Sequence, residues 1–421
     1  MQSSIKLRLT VMNFLQFAVW GAYLTSMGRY LGTAGFGSEI GNFYAMQGLV
    51  SLFMPALMGI VADRWIPAQR LLGVCHMLAG MLMLGVFLYT QTDAPSYPSL
   101  FALYSLSVAF YMPTLALSNS VAYTSLDQAG LDLVKSFPPI RVFGTVGFIC
   151  TMIAVSLLGL EATSGQFAVS AIISLVLAVY AQTLPNCPTA PKGQSKSLVE
   201  ALGLRAFVLF KQRKMALFFI FSMLLGVSLQ ITNGFANPFI STFGEIPAYA
   251  DTFGVKYANI LISLSQLSET LCILLIPFAL RRFGIRRVML IAMVAWVLRF
   301  ALLGLGNPGS GVWLFLLSMI VYGVAFDFFN VSGSLFVDKE TDPSIRSSAQ
   351  GLFMIMTNGI GATLGSLGAQ AVINRFVYSQ SEATAILSGW TTSWYVFAAY
   401  AAVVAVLFAL LFRYNTATEA K

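Results

Sequence analysis

The sequence predicts an all-α polytopic membrane protein: twelve transmembrane helices in two pseudo-symmetric six-helix bundles, with both termini cytoplasmic. Three observations predict it. The first is composition. The 421 residues are 57% hydrophobic and only 10% charged, with a mean hydropathy of +0.79, whereas soluble domains carry about 25% charged residues. Such a chain lacks the polar side chains to cover a water-facing surface. The second is spacing. Apolar runs recur with loops at about 35 residues per helix, and a spanning helix needs about 20. The runs are continuous and far longer than the alternating strands of an outer-membrane barrel. The third is charge placement. With both ends inside, the cytoplasmic loops collect all but four of the 24 basic residues, as the positive-inside rule requires. The four exceptions are Arg29, Lys256, Arg299 and Arg375.

The run over 9–30 follows Lys6 and Arg8 and is long enough to span, so it reads as the first helix rather than a cleavable leader. The run over 41–62 ends in Gly59-Ile60-Val61-Ala62-Asp63-Arg64. The next runs fall at 70–91, 99–124, 140–160 and 165–184, and the polar stretch 185–214 then divides the chain. The second set falls at 215–243, 256–280, 287–306, 311–337, 347–374 and 391–412. Pro55, Pro113 and Pro277 are candidate kinks. The expected organisation is therefore an N-terminal bundle over 1–184, a cytoplasmic linker over 185–214, a C-terminal bundle over 215–413 and a cytoplasmic tail over 414–421.

Weak internal repeats support two related halves. Pro55 and Pro277, near the ends of the second and eighth runs, lie 222 residues apart. Tyr111 to Asn119 and Tyr322 to Asn330 begin and end alike, 211 apart. Arg141 and Arg346, at the openings of the fifth and eleventh runs, are 205 apart. Repeated halves of this kind bind substrate near the membrane midplane between them and alternate access.

Several classes are excluded by what the chain lacks. Its +8 net charge follows from basic cytoplasmic loops and does not imply nucleic acid. The four cysteines are scattered, with no CxxC or CxxH spacing, and His76 is the one histidine. Neither a disulfide framework, a metal site nor a Ser-His triad can be assembled from these. No GxSxG or HExxH occurs, which argues against an intramembrane enzyme, and no cofactor is expected. Paired halves argue against a channel.

Ionisable groups at bilayer depth are informative because each costs roughly 2.5–3.5 kcal/mol on insertion scales. Of 16 acids, two sit mid-span: Glu269 and Asp327. A carboxyl held between burial and a nearby cation can load and release protons, and the alternative is a fixed, hydrogen-bonded acid. Helical spacing gathers other polar groups around them. Gln230 and Asn233 are i, i+3, as are Gln266 and Glu269; Tyr322 and Phe326 are i, i+4, with Asp327 beside them. Arg141, Thr145 and Phe148 share a face of the fifth run, although Arg141 could equally be an anchor at the cytoplasmic end. Amides, hydroxyls and rings together suit a polar, uncharged ligand with a flat ring and several hydroxyls. The alternative is that the amides join helices.

The segment Gly59 to Arg64 resembles the signature loop of the major facilitator superfamily, departing from it at Trp65-Ile66-Pro67. More specific runs are Phe14-Leu15-Gln16-Phe17 with Trp20-Gly21, Phe53-Met54-Pro55-Ala56-Leu57, Tyr111-Met112-Pro113-Thr114-Leu115 and Phe137-Pro138-Pro139-Ile140-Arg141. In the second half they are Phe219 to Gly226, Leu229 to Asn233, Ser265-Gln266 with Ser268-Glu269-Thr270, and Ala325 to Asn330. Through these, almost the whole chain resembles the bacterial nucleoside:proton symporters of the nucleoside permease type, a branch of that superfamily.

The resemblance implies uptake of purine and pyrimidine nucleosides such as uridine and adenosine across the bacterial cytoplasmic (inner) membrane, driven by the proton gradient and by no cofactor. It implies a substrate site of Arg141, Thr145, Phe148, Gln230, Asn233, Gln266, Glu269, Tyr322, Phe326 and Asp327. Glu269 and Asp327 would be the proton-coupling candidates, and Asp63 and Arg64 a conformational gate. A monomer is expected, because each six-plus-six bundle can form its own site. A proton-coupled sugar or oligosaccharide symporter of the same superfamily is the alternative.

Overall fold

The computed structural model describes residues 2–189, 204–343 and 345–414, and their regular structure is helical throughout. The α-helices named below are α1 (Gln2–Gly21), α2 (Met27–Thr33), α3 (Ile40–Ser51), α4 (Met54–Arg64), α5 (Ala68–Tyr89), α6 (Tyr97–Gln128), α7 (Leu133–Leu157), α8 (Gly165–Ala181), α9 (Arg213–Thr242), α10 (Ala258–Leu305), α11 (Val312–Glu340), α12 (Arg346–Met354), α13 (Ala362–Phe376) and α14 (Ala383–Leu411). Among the described residues nine helical stretches are long and apolar enough to cross a membrane, and α8 is a shorter apolar helix.

Apolar runs that read as single spans contain breaks. The run over 9–30 stops at Gly21, turns, and resumes at Met27. The run over 41–62 breaks at Leu52 and Phe53, and Pro55 then sits in the first turn of α4, where its missing N–H leaves no helical bond unmade. Pro55 therefore starts a helix rather than kinking one, whereas Pro113 and Pro277 do lie inside helices. The runs over 256–280 and 287–306 form one 48-residue stretch, α10, interrupted at Gly284. There φ is +75°, a left-handed conformation open to glycine. Arg286 closes a helix end nearby: its Nε and Nη2 donate to the carbonyls of Phe412 and Ala409 at 2.6 and 2.7 Å, at the end of α14. Between α12 and α13 the backbone widens into a π-helix over Ile355–Gly361.

The described residues fall into two compact units. The first takes those of Met1–Tyr30 and Leu49–Leu202, and the second those of Leu31–Gly48 and Gly203–Lys421. Residues 31–48 thus group with the second unit. The reason lies in α13: the Gln370 carboxamide accepts from the Gly41 N–H at 2.5 Å and donates to the Gly37 carbonyl at 3.1 Å, and Asn374 donates to the Ser38 carbonyl at 3.2 Å.

The core of the first unit packs Leu9, Leu72, Val121, Leu126 and Leu177. It extends into the expected linker. Cys187 is buried, its N–H donates to Gln69 Oε1 at 2.9 Å, and burial pushes its thiol up from the ordinary value. Most of that linker and the expected tail lie outside the described residues. In the second unit, Phe218, Phe329, Phe336 and Phe353 form an aromatic cluster with centroids 4.7–6.4 Å apart.

Candidate functional site

Two of the four basic exceptions are held by acids outside the long apolar helices. Arg29 pairs with Glu161 at 3.3 Å in the first unit, and Ser156 also donates to Glu161. Lys256 pairs with the exposed Asp251 at 2.9 Å, which holds the Asp251 carboxyl below its ordinary value.

Within the first unit, α1, α5, α6, α7 and α8 assemble a buried polar and aromatic cluster. The α7 residues Arg141, Thr145 and Phe148 lie along one face, as their spacing predicts, with Phe148 buried and the other two half-buried. The Arg141 guanidinium lies 4.1 Å from the centroid of the Phe17 ring. Trp20 meets Phe148 edge-on at 6.4 Å and Tyr111 at 6.1 Å. Gln16 is a hub: its Nε2 donates to Thr114 Oγ1 at 2.7 Å, and its Oε1 lies 2.8 Å from His76 Nε2. The Tyr111 hydroxyl donates to the Gln16 carbonyl at 2.9 Å. His76 is fully buried, with Nδ1 2.9 Å from Ser174 Oγ. Both ring nitrogens are therefore engaged inside the unit.

Within the second unit, α10 and α11 bring together five of the predicted residues. Tyr322 and Phe326 stack at 5.6 Å with an interplanar angle of 7°. The Gln266 and Glu269 side chains lie close to Tyr322, and Glu269 lies close to Asp327 as well. Asp327 is 5% exposed and its Oδ2 has no hydrogen-bond partner. A buried carboxylate oxygen left without a donor is costly. On α9, Asn233 Nδ2 donates to Gln230 Oε1 at 2.8 Å, so these two hold each other. Asp63 and Arg64 end α4, half-buried and exposed respectively.

The close approach of α10 and α11 depends on Gly323. A Cβ there would stand 2.5 Å from the Ser268 carbonyl oxygen and 2.7 Å from Cys272 Sγ. Nearby, Leu225, Leu229, Trp296, Phe326, Asn330 and Asn358 line a small recess.

Arg299, Trp296 and Asn358 were not singled out from the sequence. Arg299 carried a signal: it is a basic residue well inside the run over 287–306. It is 1% exposed and lies 4.5 Å from the Tyr322 ring centroid. Asn358 carried none, because a lone amide in a small-residue run is ordinary in a membrane helix.

A family model described as nucleoside H+ symporter matches residues 3–417. The chain belongs to the nucleoside:proton symporter family. It is 49% identical over 415 residues to the xanthosine permease of Escherichia coli (strain K12), covering 98% of this chain and 97% of that one. It is 46% identical to nucleoside permease NupG of the same organism with the same coverage. The crystal structure of NupG superposes with a TM-score of 0.89 over 98% of this chain and 100% of that chain, at 46% identity. The symporter is thus a multi-pass helical membrane protein of the major facilitator type that takes up nucleosides with protons, and it is not an enzyme. The nucleoside reading stands over the sugar alternative.

Proposed function

We propose that this symporter binds its nucleoside through Arg141, Thr145, Phe148, Gln230, Asn233, Gln266, Glu269, Tyr322, Phe326 and Asp327, and carries its proton on Glu269 or Asp327. The observation that carries this is Asp327: a carboxylate 5% exposed, with an unpartnered oxygen, next to Glu269 and beside a parallel pair of rings. Two carboxylates that act on each other inside an apolar bundle favour sharing one proton. The rings supply a face for a planar base, and the amides of Gln230, Asn233 and Gln266 supply donors and acceptors for ribose and base edges. Asp63 and Arg64, ending α4, would hold one conformation of the access cycle.

The substrates proposed are purine and pyrimidine nucleosides, with uridine and adenosine as representatives. The xanthosine permease relative makes xanthosine the third to test. Twelve crossings with both termini cytoplasmic, placement in a bacterial inner membrane, a working monomer and no cofactor complete the proposal. The long stretch interrupted at Gly284 supports the count by supplying two crossings from one run.

The test is labelled uridine uptake into liposomes with and without an imposed proton gradient. Wild-type protein should accumulate uridine until a protonophore is added. Asp327→Asn or Glu269→Gln should abolish accumulation while retaining exchange of internal for external uridine. Full accumulation by both variants would remove the acids from coupling.

A further inference from the structure

Arg299 is 1% exposed on the limb of α10 that follows Gly284. Its partners are all neutral. Nη1 donates to the Ser318 carbonyl at 2.8 Å and lies 3.4 Å from Ser265 Oγ, while Nε has no partner. Among the described residues no carboxylate lies within ion-pair distance of it. A cation buried in an apolar bundle is ordinarily paired with an anion. Here the guanidinium is set against the face of Tyr322, with its carbon 4.5 Å from the ring centroid. Trp296, one turn earlier on the same limb, meets that ring edge-on at 5.9 Å.

The contacts tie three segments together. Ser265 is on the first limb of α10, Arg299 on the second and Ser318 on α11, one turn before Tyr322. Ser318 Oγ also donates to the Arg299 carbonyl at 3.0 Å, so the two residues bond reciprocally. The ring is thereby held by a charge on its face and an indole at its edge. Tyr322 in turn stacks on Phe326 and neighbours the Gln266 side chain.

We propose that Arg299 is a positioning residue of the nucleoside site: its guanidinium fixes the Tyr322 ring, and with it the Tyr322–Phe326 stack, in the orientation that receives the base. This rests on the reading of Tyr322 as a substrate-binding residue. Arg299 itself touches no substrate. The ring quadrupole needs a cation and not merely a donor, which separates this role from simple helix bonding.

The experiment compares Arg299→Lys, Arg299→Gln and Arg299→Met in uridine uptake by reconstituted protein, with KM and the maximal rate measured separately. Loss of the charge in the Gln and Met variants should raise KM about five- to thirty-fold with little change in maximal rate. Arg299→Lys keeps a cation and should stay near wild type. Combining Arg299→Gln with Tyr322→Leu should raise KM no further than Tyr322→Leu alone, because the effect passes through the ring. Equal KM values for the Lys and Gln variants would overturn the proposal. So would failure of both neutral variants to insert while the Lys variant inserts, because that places Arg299 in the fold alone. An unchanged KM for Tyr322→Leu would instead remove the reading on which the proposal rests.

Discussion

Arg29 and Glu161 show how a charge is tolerated beside a membrane bundle. The Glu161 side chain is 4% exposed and the Arg29 side chain 19%, with 3.3 Å between nitrogen and oxygen. Ser156 and the Gln166 amide surround the carboxylate residue, Gln166 donating to the Glu161 carbonyl at 3.0 Å and accepting from Ser26 Oγ at 2.9 Å. Removing one partner of a buried pair leaves the other uncompensated, at about 3–5 kcal/mol when burial is complete. Arg29 is partly solvated, so Arg29→Ala should cost less, about 2 kcal/mol. Thermal unfolding in detergent should show a lowered midpoint for Arg29→Ala and a near-normal one for Arg29→Lys. Equal melting of both with wild type would mean the pair contributes nothing. Ion pairing of this kind is invisible in sequence, because Arg29 and Glu161 are 132 residues apart. The mid-span acids were legible for the opposite reason: an apolar run makes any carboxylate conspicuous. Arg299 was equally conspicuous as a base inside an apolar run, but it entered the reading only as an exception to the cytoplasmic charge bias.

Helix pairs in these units approach through glycine. Between α1 and α7, a Cβ at Gly147 would meet the Phe14 carbonyl oxygen, and one at Gly21 the Phe148 carbonyl oxygen. Between α9 and the run formed by the π-helix Ile355–Gly361 and α13, a Cβ at Gly226 would meet the Thr357 carbonyl oxygen and one at Gly365 the Val227 carbonyl oxygen. Lipid tails are as apolar as leucine, so association depends on such close packing rather than on escape from water. Backbone cannot yield as a side-chain tip can, so Gly147→Ala and Gly365→Ala should each destabilise by about 1–3 kcal/mol. Gly59→Ala and Gly368→Ala meet nothing within 4 Å and serve as controls. The expected result is lower melting midpoints for the first two and unchanged midpoints for the controls; four equal midpoints would refute the packing account. The positions of the long helices were legible from apolar runs. The breaks at Gly21, at Leu52–Phe53 and in the π-helical Ile355–Gly361 were not, because hydropathy reports composition and not which backbone groups are bonded. Within the π segment, Thr357 Oγ1 donates back to the Phe353 carbonyl at 2.9 Å, and the Thr357 backbone lies against Gly226.

The charge distribution of the whole chain makes a topological prediction that needs no knowledge of the site. Basic residues cluster after the second, eighth and tenth apolar runs and around the divide between the halves: Arg64 and Arg70; Arg281, Arg282, Arg286 and Arg287; Lys339 and Arg346; Lys211, Arg213 and Lys214. The loops between these clusters carry few or none. Tyr89 to Tyr97 has one acid, Asp93, and no base, and Ser379 to Ala383 has Glu382 and no base. Basic residues resist translocation while acids contribute little, so the clusters should remain cytoplasmic and the two poor loops should cross. A reporter that fluoresces only in the cytoplasm should be active when fused after Lys421, and a reporter active only outside should work when inserted at Asp93 or Ser379. Two of these loops on the wrong side would overturn the arrangement. Neutralising Arg281, Arg282, Arg286 and Arg287 together provides a stronger trial. Arg286 also bonds the last carbonyls of α14, so its replacement tests orientation and helix capping at once. Keeping Arg286 and replacing the other three separates the two effects. If charge alone orients the eighth and ninth crossings, the triple variant should show reporter activity on both sides of the membrane at the loop near Gly284. If the capped end of α14 anchors them, the single-sided pattern should persist.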